Sequence, residues 1–385
     1  MSTMLKIGAL GTGNTGNQIV SLAKERLEIP VIAINSSVKD LETLPEDIQT
    51  YRISDQEGMS QGAGKNRELA KKFLKDSIIK LLSDENVISF LVDLDICFVV
   101  ASMGGGTGSG TAPIIMSILS QQFPDTLFIL VGVGPVQQEA LSAHVNTMEF
   151  LQEMYSNLPN VRYMLYDNDN FANMPSYKMM EQVNSEVVED MKVISGFYNI
   201  ATKYDSIDKE DTLRLVSFPG RIAVARVEDI KEKDLDSASI EERIIQTIKR
   251  NAHMELQRDQ KVMATGLITN LSSSMIEGFN NHIPRVHDLI GEPVHEFLHV
   301  GMNPDKKDKN SVFLIMSGLS AVNDKISKIS ERIEEIEERQ RTQEEQSALD
   351  AEKIGQLSSM ISKNDGRQAQ ANENVNLDDI FSKFM

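Results

Sequence analysis

The first half of the chain alternates short apolar runs with longer stretches in which apolar residues recur every three or four positions. The runs are predicted strands and the longer stretches are predicted helices. In chain order they are KIGALG, GNQIVSLAKERL, PVIAINSS, RELAKKFLKDSIIKLL, DICFVVASM, APIIMSILSQQF, TLFILVGVGP and VRYMLYDN. Apolar strands that alternate with helices predict an α/β fold, in which a mainly parallel sheet carries helices on both faces.

The second half predicts a different organisation. A long helix is predicted over residues 179–204, after a first domain that spans residues 1–178. The runs RIAVARV, KVMATGLIT and VFLIMSGLS follow as strands, with EERIIQTIKRNA as a helix. They predict a smaller second α/β domain over residues 205–320.

The C-terminal region, residues 321–362, carries a heptad pattern. Apolar side chains recur at spacings of four and three, and the phase returns after a polar stretch; these are Val322, Ile326, Ile329, Ile333 and Ile336, then Ile354, Leu357 and Ile361. The pattern predicts one long helix, which packs either on its own domain or in a coiled coil between chains. Residues 363–385 predict a flexible linker that ends in the amphipathic peptide LDDIFSKFM.

Composition narrows the class of protein. Apolar residues make up 41% of the 385 residues and charged residues 25%, as in soluble globular proteins. No apolar stretch is long enough to span a membrane, the N-terminus has no signal-peptide pattern, and Cys97 is the single cysteine. These features predict a cytoplasmic protein. The net charge of −18 argues against direct DNA binding by the body, but it does not exclude a metal-bound nucleotide.

Three glycine-rich loops each follow a predicted strand or precede a predicted helix. The first, GTGNTG from Gly11 to Gly16, matches the dinucleotide-binding pattern G-x-G-x-x-G. That pattern requires an acidic residue at the end of the next strand, and here Asn35, Ser36 and Ser37 stand there, with no acid before Asp40. An NAD-dependent oxidoreductase therefore remains the weaker alternative.

The second and third loops favour a triphosphate. SMGGGTGSGTAP follows a buried strand and opens a helix, and QGAGK precedes another helix. Glycines allow several backbone N–H groups to converge on phosphate oxygens, to which Thr107 and Ser109 add hydroxyl donors. Each loop alone is equally well read as a tight turn, but three at one sheet edge favour a phosphate cradle.

The heptapeptide GGGTGSG, residues 104–110, resembles the signature loop of the tubulin and FtsZ superfamily. The similarity extends over roughly the first 320 residues in the order of elements. It implies a nucleotide domain, a long central helix and a second domain, together with binding of GTP or GDP and Mg²⁺ and head-to-tail polymerisation.

The resemblance also implies roles for individual residues. Phosphate contacts fall to Gly11, Gly13, Gly16 and the cradle Gly104, Gly105, Gly106, Thr107, Gly108, Ser109 and Gly110. Asn35 would lie near the phosphates and metal, and Gly62, Ala63 and Gly64 would sense the γ-phosphate beside Lys65. Glu139 would bind the ribose and Asn168 would face the nucleotide. Asn17 and Asn184 would meet guanine, and Met180 stands where an aromatic residue commonly stacks on the base.

The segment SIDKED, residues 206–211, resembles the catalytic loop N-x-D-x-x-[DE] of the superfamily. Asp208 and Asp211 lie three residues apart, so both carboxylates share one face of a helical turn and can orient a water toward the γ-phosphate. In the family this loop enters the nucleotide site of the next subunit. The alternative is local: Asp208 caps a helix and Asp211 stabilises its first turn.

These features predict a GTPase that forms cytomotive filaments. The stretch INSSVKDLETL, the shortened first loop and the helical tail resemble the plasmid- and phage-encoded TubZ branch, which predicts a role in DNA segregation. A divergent FtsZ-type division protein and a nucleotide-binding scaffold without turnover are the alternatives. The terminal peptide is predicted to bind a protein adaptor, although an idle end or a strap onto its own domain remains open.

Overall fold

A computed structural model describes residues 5–55, 62–196, 202, 206–231, 233, 242–243, 246, 261–280, 291–302, 309–320, 326–343 and 353. Its strands are β1 (Ile7–Thr12), β2 (Val31–Asn35), β3 (Gln49–Arg52), β4 (Ile96–Ser102), β5 (Leu127–Gly134), β6 (Arg162–Asp167), β7 (Gly220–Val227), β8 (Val262–Leu271), β9 (Pro293–Met302) and β10 (Ser311–Leu319).

The helices are α1 (Gly13–Leu27), α2 (Val38–Leu41), α3 (Arg67–Leu82), α4 (Glu85–Val92), α5 (Thr107–Gln122), α6 (Leu141–Asn157), α7 (Ser176–Gly196), α8 (Lys209–Val216) and α9 (Ser273–Asn280). A 3₁₀ turn covers Asn168–Phe171. A further helix covers residues 326–343. Within the parts of the chain that the structure describes, no helix is long and apolar enough to cross a membrane.

The strands form one sheet in the order β3-β2-β1-β4-β5-β6-β7-β10-β8-β9. Pairing is parallel from β3 to β7, antiparallel from β7 through β10 to β8, and parallel again between β8 and β9. This confirms the predicted α/β fold with a mainly parallel sheet. The pairing of Tyr163 with Arg221 carries the sheet from the first half of the chain into the second.

Both faces of the parallel region are covered. Along β4, Phe98 and Val100 belong to the core on one face, and Cys97 and Val99 belong to the core on the other. This alternation follows from the two-residue period of a strand, and it explains why the run is apolar throughout. Burial raises the pKa of the Cys97 thiol well above its usual range, as expected of a small core residue.

The helix that carries the heptad pattern begins on the body of the protein. Ile329 is buried, and Ile326 and Ile333 pack against the same core. Residues 1–333 form one compact unit, to which these packed positions belong, and residues 334–385 form another. The first turns of the heptad helix therefore pack on the helix's own domain, which is one of the two predicted alternatives.

Several predicted segments lie outside the described residues. They are Val322, the apolar positions 354, 357 and 361, the tail 363–385 and nearly all of EERIIQTIKRNA. The predicted central helix is described over Ser176–Gly196. The domain boundaries at residues 178, 204 and 320 stay predictions.

Candidate functional site

A cavity of about 330 Å³ opens at the carboxyl ends of β1, β2 and β4. The three glycine-rich loops meet there, because neighbouring parallel strands end at the same edge of a sheet. Its lining is mostly small and polar: Thr12, Gly13, Asn14, Thr15, Asn35, Ser36, Ser37, Asp40, Gly62, Ala63, Gly64, Lys65, Ser102, Gly105, Gly106, Thr107 and Gly108. Helix α5 begins in this lining at Thr107, and the N-terminus of a helix favours a bound anion.

The glycines of the cavity differ in what a side chain would meet. A Cβ on Gly106 would lie 2.8 Å from the backbone of Lys65, and one on Gly13 would lie 2.8 Å from Gly108 N. These glycines therefore allow the loops to pack on each other. A Cβ on Gly105 would meet nothing nearer than Ser102 at 3.9 Å, so Gly105 presents open backbone to the cavity.

Three predicted contact residues of the first loop lie beneath the cavity. A Cβ on Gly16 would lie 2.2 Å from Val100 O, and one on Gly11 would lie 2.6 Å from Gly16 O. Asn17 is 1% exposed and donates from Nδ2 to Ile34 O at 3.2 Å. In this conformation the three residues hold α1 against the sheet, and their contacts with phosphate or guanine stay predictions.

The far end of the second loop also supports the cavity from behind. The Ser109 hydroxyl donates to Gly105 O, and a Cβ on Gly110 would lie 2.7 Å from Arg67 O. A Cβ on Gly104 would lie 3.2 Å from the Cβ of Ala143. Gly104, Ser109 and Gly110 therefore fix the shape of the cradle, while Gly105, Gly106, Thr107 and Gly108 line it.

Asp40 is the acidic residue in this lining, and the sequence analysis did not assign it to the site. Ser37 Oγ accepts from Asp40 N at 3.3 Å and caps α2, which brings the Asp40 carboxylate beside Asn35. Asn35 donates from Nδ2 to Asp40 Oδ2 at 3.1 Å. The pattern Ser-x-x-Asp directly after a strand was the available signal, because it predicts a helix start.

The donor set fits a magnesium ion that is bound together with phosphates. Asp40 provides a carboxylate, and Ser36 Oγ lies 2.8 Å from Thr107 Oγ1, which places two hydroxyls side by side. Among the described residues no group of three or more His, Cys, Asp or Glu side chains is arranged to hold a metal ion. Mg²⁺ usually takes only one or two protein carboxylates and completes its shell with phosphate and water, so this set is sufficient.

Glu139, predicted to bind the ribose, and Asn168, predicted to face the nucleotide, follow the next two strands along the same edge. Gly134 of β5 pairs with Asp167 of β6, and Asn168 follows directly. Glu139 Oε1 accepts from Val136 N at 3.2 Å, which closes the loop after β5. These two further strands extend the edge by roughly 10 Å beyond β4.

The helix α7 supplies the remaining predicted base contacts. Asn184 is 9% exposed and Met180 is 36% exposed, one turn apart on α7. These residues do not line the glycine-lined cavity. Their roles toward guanine stay predictions, as does the ribose contact of Glu139.

The acidic pair forms a helix cap. Asp208 Oδ1 accepts from Asp211 N at 2.9 Å, and Asp211 Oδ2 accepts from Asp208 N at 3.4 Å, so the two form the capping box of α8. Ile207 N donates to Nδ1 of the buried His299 at 3.1 Å, which fixes the start of the loop. The predicted alternative, in which the pair caps a helix, is therefore observed. Asp208 is exposed and faces solvent.

The structure does not bring this pair to the glycine loops of the same chain. Lys209 Nζ lies 2.8 Å from Asp95 Oδ1, and Asp95 precedes β4, whereas the cradle follows Ser102 at the other end of that strand. At about 3.3 Å per residue, β4 separates the two by roughly 20 Å. The acidic pair and the cavity lie at opposite ends of the parallel sheet.

A larger cavity, of about 910 Å³, also lies at the amino ends of the strands. Its cations are already paired with acids: Lys6 with Asp93, Lys24 with Asp47, and both Arg26 and Lys192 with Glu189. The larger cavity is therefore a weaker candidate for an anion-binding site than the glycine-lined cavity.

Residues 6–175 match the family described as "Tubulin/FtsZ family, GTPase domain". A curated relative, the tubulin-like protein CetZ of Pyrococcus abyssi, is 24% identical over 232 residues, which cover 59% of this chain and 63% of that protein. The chain thus spans less than two thirds of the length of the curated relatives that it matches.

Two solved structures share the fold. Clostridium botulinum phage c-st TubZ superposes with a TM-score of 0.67 at 19% identity and covers 88% of this chain and 100% of its own. CetZ2 from Haloferax volcanii, a GTPγS-bound protofilament, gives a TM-score of 0.70 at 19% identity, with 86% and 100% covered.

Residues 6–175 are therefore a domain of the tubulin/FtsZ GTPase family, as the signature loop predicted. That segment contains the G-x-G-x-x-G match, so the dehydrogenase alternative is set aside. TubZ is among the structural neighbours, as predicted, and CetZ is a further branch that the sequence analysis did not name.

Proposed function

We propose that this protein binds GTP with Mg²⁺ in the glycine-lined cavity and hydrolyses it. The observation that carries the proposal is the meeting of three glycine-rich loops, the start of α5 and the Asp40 carboxylate at one sheet edge. Bound Mg²⁺ would neutralise charge on the phosphates, and Asp40 with the hydroxyls of Ser36 and Thr107 would hold it.

Hydrolysis requires a second copy of the chain. Asp208 and Asp211 lie at the end of the sheet opposite the cavity, so they reach a γ-phosphate only when another copy stacks head to tail. The carboxylates would then orient a water in line with that phosphate. The GTPγS-bound protofilament of the similar CetZ2 supports such an arrangement.

The resulting polymer is a cytomotive filament whose GTP turnover depends on assembly. We further propose that it positions or segregates plasmid or phage DNA through a protein adaptor, as the likeness to TubZ suggests. The body carries a strong negative charge, which favours an adaptor over direct contact with DNA.

Gly105→Val tests the nucleotide site without disturbing the protein around it. The new side chain would enter the cavity, since the nearest atom to a Cβ there is Ser102 at 3.9 Å. We expect the dissociation constant for GTP to rise by more than about tenfold, measured by calorimetry. Gly106→Val is less informative, because its Cβ would clash with Lys65 whether or not a ligand binds.

Gly196→Ala is the matched control, since a Cβ on Gly196 meets nothing within 4 Å and the residue lies at the end of α7. It should bind GTP like the unaltered protein. A folded Gly105→Val protein with unchanged GTP affinity would show that the cavity is not the phosphate site. Phosphate release by the unaltered protein separates a GTPase from a scaffold without turnover.

A further inference from the structure

Asn146, on the inner face of α6, contacts both loops that form the cradle. Its Nδ2 lies 3.0 Å from Lys65 O, 3.0 Å from Gly105 O and 3.2 Å from Gly104 O. The side chain is 7% exposed, and its two amide hydrogens are shared among the three carbonyls. One amide group therefore joins the loop before α3 to the loop before α5.

Arg67, at the start of α3, fixes Asn146 from the other side. Its guanidinium donates from Nη1 to Asn146 O at 2.7 Å and from Nη2 to Glu153 Oε2 at 2.6 Å. Glu149 Oε2 lies 3.3 Å from Arg67 Nε. The Arg67 side chain is about 2% exposed, so it is a buried cation that its acidic partners on α6 compensate.

The direction of the carbonyls bears on phosphate binding. In a trans peptide the C=O and the N–H of the next residue point in opposite directions. Because Asn146 draws in the carbonyls of Gly104 and Gly105, the N–H groups of Gly105 and Gly106 turn to the other side. Gly105 and Gly106 line the cavity, so those N–H groups would be available to a phosphate bound there.

The loop before α3 is held in an unfavourable conformation at the same contact. Lys65 has a φ of 64°, in the left-handed region that a side chain disfavours, and Gly64 has a φ of 54°. Such a residue persists only where its surroundings enforce it. The hydrogen bond from Asn146 Nδ2 to Lys65 O helps to hold Lys65 in this conformation.

We propose that Asn146, held by Arg67, is a positioning residue that locks the two loops into one phosphate-binding surface. This inference rests on the proposed GTP site and deepens it. Loss of the Asn146 amide would free the loop of Gly62–Lys65, which lines the cavity and is predicted from the family resemblance to sense the γ-phosphate. As a consequence, the variant would lose more affinity for a triphosphate than for a diphosphate.

Asn146→Ala in the full chain tests the proposal, with GTPγS and GDP titrated separately by calorimetry. Loss of the shared hydrogen bonds should raise the Kd for GTPγS by about tenfold and that for GDP by less than about threefold. Thr147→Val is the control, because Thr147 Oγ1 donates only to Ala143 O of its own helix in this structure, at 2.8 Å. It should leave the ratio of the two constants unchanged, whatever its effect on Tm.

An unchanged ratio of Kd for GTPγS to Kd for GDP in a folded Asn146→Ala protein overturns the proposal. If that protein does not fold, Arg67→Lys decides by the same criterion, since a single ammonium keeps the charge but cannot reproduce the forked contact of the guanidinium with both Asn146 O and Glu153. A raised ratio supports Asn146 as a positioning residue, and an unchanged ratio refutes that role. Should the unaltered protein bind neither nucleotide, the proposed GTP site itself is wrong.

Discussion

Lys209 Nζ lies 2.8 Å from Asp95 Oδ1, and this ion pair fixes the start of α8 to the residue that precedes β4. Both side chains are largely buried, at 23% and 21% exposure. The contact keeps Asp208 and Asp211 at the amino end of the strand whose carboxyl end carries the proposed phosphate cradle. Within one chain, the two halves of the proposed GTPase site cannot meet.

The acidic pair should act on hydrolysis and leave binding unchanged. We expect Asp208→Asn and Asp211→Asn each to lower the rate of phosphate release by about a hundredfold, because each removes a carboxylate that orients the water. GTP affinity should stay within about twofold, since neither residue lines the cavity of its own chain. Stopped-flow phosphate detection and calorimetry measure the two quantities.

Asparagine is the informative replacement because it retains the cap. Asp208 caps α8 through Asp211 N, and asparagine caps a helix as well as aspartate does. Asp208→Ala should instead lower the free energy of unfolding by about 1 kcal/mol, a structural effect that urea unfolding measures. Loss of GTP affinity in Asp208→Asn would place the pair in the site of its own chain.

His144, buried on α6, should make stability depend on pH. Burial lowers the pKa of its imidazole, so the unfolded chain takes up a proton near pH 6.5 while the folded chain does not. The free energy of unfolding should therefore fall as pH drops below about 6.5. His144→Gln removes this titration, so the decrease between about pH 7.5 and pH 5.5 should be smaller in the variant, as measured by urea unfolding.

The comparison is between the two slopes, because acidic residues also titrate toward the lower end of this range. A constant difference in stability between His144→Gln and the unaltered protein at every pH would contradict the assignment. It would mean that the ring contributes through packing alone.

The terminal peptide should attach cargo. Residues 377–385, with the sequence LDDIFSKFM, lie outside the described residues and follow a polar linker. Deletion from Asn376 onward should leave phosphate release and polymer formation unchanged while it removes co-sedimentation with a DNA-bound adaptor. Failure of the truncated protein to polymerise would assign the peptide to the filament contact instead.

The local elements and the meeting of the loops could be predicted from the sequence. RELAKKFLKDSIIKLL coincides with α3, and the apolar run before the signature loop coincides with β4. The edge strand β9, Pro293–Met302, was not predicted, because the polar residues His295, Glu296 and His299 interrupt its apolar pattern. A strand of this kind is defined by its partner β8 rather than by its own alternation.

The supports of the cradle could not be predicted in the same way. Asn146 lies 81 residues from Lys65 in the sequence, and nothing in the pattern of α6 distinguishes it from other inward polar residues. Gly11 and Gly16 were predicted to contact phosphate, which stays a prediction, and the structure adds that both allow the close packing of α1 on the sheet. A glycine motif marks close approach of backbone, but the sequence does not say whether a ligand or another strand approaches.

Mixing two inactive variants tests the central claim most directly. Gly105→Val has an intact acidic loop and a blocked cavity, whereas the double variant Asp208→Asn with Asp211→Asn has an intact cavity and no acidic pair. In a head-to-tail polymer about a quarter of the contacts in an equal mixture join an intact cavity to an intact acidic loop. We predict that phosphate release, nearly absent from each variant alone, returns in the mixture to about that fraction of the unaltered rate. Activity in the mixture no greater than the sum of the two separate activities would contradict a site completed between copies.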